Sequence, residues 1–183
     1  AETRNGSFAA PKIVLACGHG ITKLAPMVGL NTPIVPQRGQ VLVTERAEPT
    51  LGMALGNIRQ TDEGTVQIGN TEEEVKFDDG TTLSASQAMA RRAVQIFPQL
   101  AGLQLIRTWG CIRVLTPDKC AIYDESDEYP GAYVATSHSG VTLAAVNARH
   151  TAKWIATGEM PPGFEEFSAK RFNSEGGYVS THH

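Results

Sequence analysis

Apolar and polar positions recur along this chain with periods that assign most of its elements. Ile13-Val14-Leu15-Ala16 is an apolar run of strand length, ending in Cys17-Gly18-His19-Gly20, where two glycines let backbone approach a neighbour closely. Residues 22–28 predict a short helical turn broken by Pro26 and Gly29. Residues 40–45 predict a strand with Pro36 at its threshold, where proline is tolerated. Residues 57–61 and 65–69 predict an antiparallel pair joined by Asp62-Glu63-Gly64, with glycine where a positive φ is expected. Ser84-Ala85-Ser86-Gln87 has the form of a capping box. The helix it opens carries Met89, Ala93, Ile96 and Phe97 on one face, turns Arg91, Arg92 and Gln95 away, and stops at Pro98. Residues 103–109, leading to Gly110-Cys111-Ile112-Arg113, and residues 121–124 predict further strands, and residues 164–172 a last amphipathic turn.

The chain is organised around residues 131–158. Residues 133–136 predict a buried strand, followed by the small polar run Ser137-His138-Ser139-Gly140. From Val141 a helix is expected, with Val141, Ala144, Ala145, Ala148, Ala152 and Ile155 as its apolar stripe, Gly158 as its C-terminal cap, and Pro161 and Pro162 preventing resumption. Such a helix start presents N–H groups and partial positive charge, suited to an electron-rich group at close range. A strand, a tight turn and a packing helix that bind nothing account for the same stretch. Strands at close spacing interrupted by two long helices indicate an α+β fold with a mostly antiparallel sheet.

Composition narrows the class. At 183 residues, 41% hydrophobic and 19% charged, the chain suffices for one well-cored soluble domain or half of a larger protein. A net charge of −3 gives no reason to expect nucleic acid or an anionic membrane as partner. No apolar run approaches bilayer-spanning length. Cys17, Cys111 and Cys120 lack metal-ligand spacing and fit reduced, buried packing thiols in a cytoplasmic protein; no metal site is expected. Glu72 to Glu74 with Asp78 and Asp79 reads as a solvated acidic face rather than a calcium loop. The first periodic segment is already a core-type strand with no signal-peptide pattern before it, which is expected of the middle of a longer protein. Residues 173–183 are expected to be a disordered tail, with His182-His183 as a tag remnant.

Four motifs in order add chemistry: Ile13-Val14-Leu15-Ala16-Cys17-Gly18; Pro36-Gln37-Arg38-Gly39-Gln40; Arg107-Thr108-Trp109-Gly110-Cys111-Ile112-Arg113 with Thr116-Pro117-Asp118; and His138-Ser139-Gly140-Val141-Thr142-Leu143. Together they resemble the C-terminal half of the FAD-dependent D-amino-acid oxidase/glycine oxidase (DAO) superfamily. The similarity is greatest to amino-acid and opine dehydrogenase subunits of the hydrogen cyanide synthase, D-hydroxyproline dehydrogenase and opine oxidase types. It runs from about Lys12 to Phe172. The G-x-G-x-x-G turn and following acidic residue that hold the dinucleotide in such enzymes are not in this sequence. The resemblance therefore implies residues 1–30 as a remnant of an FAD-binding domain, 31–115 as a substrate-binding sheet domain, and 116–172 as the return to the FAD-binding domain.

It also implies roles. Arg113 would receive the substrate carboxylate, its fork bonding both oxygens; a salt-bridged surface arginine is the plain alternative. Arg38 would face the flavin or the substrate pocket, or be a turn arginine at the sheet edge. Cys17 and Gly18 would pass near the ribityl or pyrophosphate portion of FAD, and His138, Ser139, Gly140, Val141 and Thr142 would bring the helix start to the flavin's pyrimidine end. Tyr123 and Tyr133 would line the pocket or be buried tyrosines with satisfied hydroxyls. No catalytic side-chain base is implied, since hydride passes from Cα to flavin with the amine neutral. Ser137-His138-Ser139 stands where some glycine-oxidase-like relatives carry a further arginine.

The implied activity is oxidation of the C–N bond of an amino acid or N-substituted amino acid, with FAD as acceptor. The implied partners are the amino-acid substrate and the missing FAD-binding half, with a homo- or hetero-oligomer open and a membrane reached only through an electron acceptor. A non-catalytic regulatory or assembly subunit that keeps the fold without flavin is the alternative. Hydrolysis by Cys111 with His138 and Asp118 has no nucleophile motif behind it.

Overall fold

The computed structural model describes residues 1–173. The expected tail, from residue 174 on, lies outside them. The chain divides into two compact units, Pro36–Arg113 and the remainder, Ala1–Val35 with the chain from Val114 onward.

In the Pro36–Arg113 unit, four strands lie in the order β5-β6-β4-β7, where β4 is Val35–Arg46, β5 Ile58–Gln60, β6 Thr65–Gly69 and β7 Leu105–Leu115. β6 is antiparallel to both neighbours, with Val41 opposite Gly69 and Ile58 opposite Ile68. Gly64, at φ +94°, makes the turn into β6. Because side chains alternate across a strand, Leu42, Ile58, Val66 and Ile68 share one face. That face is covered by helix α2, Leu83–Ile96, through Met89 and Ala93, with Leu100 beyond it. Each fully buried aliphatic side chain of this kind contributes roughly 1.5–3 kcal/mol.

Three expectations change here. The α2 cap is Thr82, whose hydroxyl accepts from the Ala85 amide, so Ser84 already lies inside the first turn. β7 starts two residues later than expected, at Leu105, and runs on past Trp109 through Gly110 to Leu115. β4 begins before Pro36, which is accommodated because registered pairing with β6 starts only at Val41.

In the other unit, β3 (Ile13–Leu15), β9 (Ala132–Thr136) and β8 (Ile122–Glu125) lie in the order β3-β9-β8. β3 runs parallel to β9 and β8 antiparallel to it. Helix α1, Ile21–Leu24, continues into a 3₁₀ turn, Ala25–Val28, and packs Ile21 and Ala25 against Leu15, Ile122 and Val134. A small hairpin, β1 (Glu2–Thr3) with β2 (Gly6–Ser7), precedes them.

Helix α3 spans residues 144–157 as Ala144–Val146, a π-helical turn Asn147–Thr151, and Ala152–Thr157, closed by Gly158 at φ +81°. It therefore starts after Val141, which is 94% exposed. The expected stripe also faces outward at Ala144, Ala145, Ala148 and Ala152, while Leu143, Val146, Asn147, Thr151, Trp154 and Ile155 turn inward. Side-chain size decides this. Trp154 packs edge-on to Tyr133 at 5.3 Å and to Phe164 at 6.3 Å, burying far more area than any alanine, and the wide turn shifts the phase of the residues before it. The α+β, mostly antiparallel class holds. Among the described residues no helix is long and apolar enough to cross a membrane. The three cysteines are free and exposed, not buried packing residues: Cys17 and Cys120 stand in the turns after β3 and before β8, and Cys111 alternates onto the side of β7 that α2 does not cover.

Candidate functional site

Arg113 and Arg38 belong to the same unit and point to opposite faces of its sheet. Arg38, Gln40 and Leu42 alternate onto the α2 side of β4, whereas Gly39 between them faces the other way. Arg113 lies over Gly39: a Cβ built there would sit 2.5 Å from the Arg113 Cζ and 2.7 Å from Nη1. The missing side chain makes the room. Arg113 Nη1 donates to Gln37 Oε1 at 3.3 Å, and no carboxylate pairs with this guanidinium among the described residues. Trp109 and Cys111 share its face by alternation, and Arg107 stacks over the Trp109 ring at 5.3 Å.

Arg38 is 3% exposed and its guanidinium is occupied. Nη2 donates to Glu73 Oε2 at 2.7 Å and Nη1 to Asp78 Oδ2 at 2.8 Å, while Arg38 and Glu73 also exchange backbone hydrogen bonds. Gln40 and Thr71 donate to Glu73 Oε1 at 2.7 and 2.5 Å. The Arg38 bond, outweighing the cost of burial and aided by Thr71 and Gln40, holds the Glu73 carboxyl down at about 2. So Glu73 and Asp78 are not merely a solvated acidic face, and Arg38 presents no free fork to a substrate. The motifs do not single out Gly39 or Glu73, although a glycine inside a strand is itself a signal of close approach.

In the other unit, the carboxyl ends of two adjacent parallel strands feed the two loops assigned to flavin. β3 leads to Cys17 and Gly18, and β9 to residues 137–143, with Leu15 and Val134 in register just before them. The crevice beyond the carboxyl ends of parallel strands is where such sheets place ligands. Gly18, at φ +56°, opens a 3₁₀ turn through Gly20, and Cys17 is exposed beside it. His138 to Thr142 are exposed, the Ser139 hydroxyl meets His138 Nδ1 at 3.5 Å, and the Leu143 amide donates back to Ser139 O at 2.9 Å. These two loops are brought together. Tyr123 is not with them: it is 4% exposed, stacked on Phe164 at 5.1 Å, with its hydroxyl toward Asn147 and Thr151 but in no hydrogen bond of ordinary geometry. Burial pushes that hydroxyl's pKa up. Tyr133 is likewise a core residue, 2% exposed.

Thr116 and Asp118, from the third motif, serve a clamp. Asp118 accepts from Arg171 Nε at 2.7 Å and Nη2 at 3.1 Å, from the Thr116 hydroxyl at 2.9 Å and from the Cys120 amide at 3.0 Å. Burial alone would raise this carboxyl, but Arg171, Cys120 and Thr116 together hold it below its usual range. With Asp118 so engaged, no hydrolytic grouping of Cys111, His138 and Asp118 is supported. No cluster of His, Cys, Asp or Glu among the described residues could hold a metal.

The exposed, glycine-bearing loops at the β3–β9 edge fit part of a flavin dinucleotide, through backbone and small side chains at Gly18 and residues 139–142. The pyrophosphate-binding glycine motif is not among these residues. One unit thus holds a parallel strand pair with exposed, glycine-bearing loops at its carboxyl edge, and the other an antiparallel sheet with an arginine that meets no carboxylate among the described residues, within an α+β chain. Residues 1–154 match the FAD dependent oxidoreductase (DAO) family, and the chain belongs to it. It is 42% identical over 169 residues to the B chain of opine oxidase from Agrobacterium tumefaciens (strain Ach5), covering 92% of this chain and 46% of that protein. It is 29% identical to hydrogen cyanide synthase subunit HcnC of Pseudomonas protegens, covering 91% of this chain and 42% of the relative. Among solved structures, glycine oxidase from Geobacillus kaustophilus superposes with a TM-score of 0.84 at 25% identity, over 93% of this chain and 48% of that one. The chain thus spans about half the length of the curated relatives it matches.

Proposed function

We propose that this chain is the C-terminal portion of an FAD-dependent oxidoreductase that oxidises the C–N bond of an amino acid or N-substituted amino acid. The observation that carries the reading is Arg113, a guanidinium seated over Gly39 on the sheet face opposite α2, with a neutral glutamine as its side-chain partner. Its fork suits a substrate carboxylate and would fix the orientation of the neighbouring C–H bond. Bound FAD would supply the two-electron acceptor. The chain's own part is to cradle the cofactor with Cys17, Gly18 and residues 138–142, while residues outside this chain supply the pyrophosphate anchor. In this reading residues 1–30 and 116–172 belong to the flavin domain and 31–115 to the substrate domain. The relatives named as subunits of opine oxidase and hydrogen cyanide synthase support a second polypeptide as partner.

The test is steady-state kinetics on the full-length flavoprotein. Arg113→Ala is expected to raise KM for a carboxylate substrate by thirtyfold or more, about 2 kcal/mol of lost binding, with flavin content unchanged. An unchanged KM removes Arg113 from the site. A full-length protein that shows no flavin absorbance and takes up no added FAD supports the non-catalytic alternative instead.

A further inference from the structure

A cavity of about 370 Å³ lies between α2 and the β5–β6 part of the sheet in the Pro36–Arg113 unit. It is on the α2 side of the sheet, whereas Arg113 lies over Gly39 on the opposite face, so it is not the carboxylate site described above. Its floor is Ile58, Ile68, Met89 and Ala93, all buried. Leu55 and Ile96, at its mouth, remain 49% and 45% exposed. A cavity of this volume with an apolar wall and a few polar groups at one end has the character of a small-molecule site.

Charge selects the ligand. Arg92, exposed and one helical turn from Ala88 and from Ile96, borders the cavity rather than turning away from Met89 and Ala93 as the helical period suggests; among the described residues it is the sole charged residue lining the cavity and makes no hydrogen bond or ion pair. Asn57 and Asn70 supply neutral polar groups at the strand end, whereas the Thr71 hydroxyl beside them is committed to Glu73 and the Gln40 amide. An amine would meet a guanidinium and no carboxylate; a purely apolar ligand would leave the guanidinium unused. We propose that this cavity binds a small aliphatic monocarboxylate, its chain against Ile58, Ile68 and Ala93 and its carboxylate at Arg92. The proposal does not depend on flavin or on the C–N oxidation reading.

The test is titration of the 15N-labelled 183-residue chain with octanoate and, separately, octanol, followed by amide shifts. Octanoate is expected to shift the amides of Ile58, Ile68 and the Ala88 to Ile96 turns saturably, and to bind about fivefold more tightly than octanol. Arg92→Gln should remove that difference. Ala88→Phe, at an exposed helix position, should fill the mouth and abolish the shifts at unchanged Tm; should it unfold the chain, Arg92→Gln alone decides. Absence of saturable shifts at these amides overturns the proposal, as does equal binding of octanol and octanoate or octanoate binding unaffected by Arg92→Gln.

Discussion

Gly39 sets the direction of Arg113 by having no side chain. Gly39→Ala places a methyl inside the space the guanidinium occupies, and the flexible end of an arginine yields more readily than the strand. Stability should change by less than about 1 kcal/mol, while KM for a carboxylate substrate rises as it does for Arg113→Ala although the charge is retained. Equal KM values for wild type and Gly39→Ala would show that the seat of Arg113 is irrelevant to binding. Glu73 gives a pH signature on the opposite face of the sheet. Its carboxyl falls from an ordinary 4.5 to about 2 in the folded chain, so the folded state takes up this proton less readily than the unfolded one. The associated stability is fully present above pH 4.5 and is lost as pH falls through 2. Its size is on the order of 2 kcal/mol after allowing for partial exposure. Urea denaturation across that window should show the loss in wild type and a flatter profile in Glu73→Gln, with the variant already weaker at neutral pH because Arg38 is left short of a partner.

At the level of elements, β7 passes so close to the loop before α2 that Gly110 admits no substituent. A Cβ there would fall 2.6 Å from the Gly80 carbonyl oxygen and meet the Asp79 carbonyl as well, and backbone cannot swing aside as a side chain can. Gly110→Ala should therefore cost roughly 1–3 kcal/mol, read as a lower denaturant midpoint at unchanged slope. The same contrast explains which elements are legible in sequence. The alternation in residues 65–69 and the Asp62-Glu63-Gly64 turn are local signals, and β6 and its hairpin follow them. The α3 stripe departs from expectation because apolar period alone weighs an alanine like a tryptophan. The inward face is chosen by Trp154 against Tyr133 and Phe164, contacts that period does not report. Arg38 passes for a ligand group in sequence because nothing local announces that Glu73 and Asp78 return to it from more than thirty residues away. The roles expected of Arg113 and of the two loops after β3 and β9 are accessible only through resemblance. Geometry adds what the motifs lack, namely that β3 and β9 are parallel neighbours and that glycine underlies the arginine.

For the whole molecule, the division into units has a thermodynamic consequence. The Pro36–Arg113 unit is one continuous segment with its own core around Leu42, Ile68 and Met89, while the other unit is assembled from two segments that must find each other. Its later segment is tied by Arg171, which reaches Asp118 with two nitrogens and also caps the carbonyls of Phe167, Ser168 and Ala121. Nearby, Asp124 accepts from the Ser168 hydroxyl at 2.7 Å and the Ala169 amide at 2.9 Å. Removing the cation leaves a carboxylate whose side chain is only 5% exposed without its counter-charge. Arg171→Ala should accordingly cost about 3 kcal/mol, toward the lower end for a broken buried pair because the arginine itself is partly exposed. If each core opens as its own cooperative unit, the loss will be local. Native-state hydrogen exchange on the variant should show reduced protection for amides of β8 and β9, while those of β6 and α2 keep theirs; uniform loss across all four elements would mean that the chain unfolds as a single body.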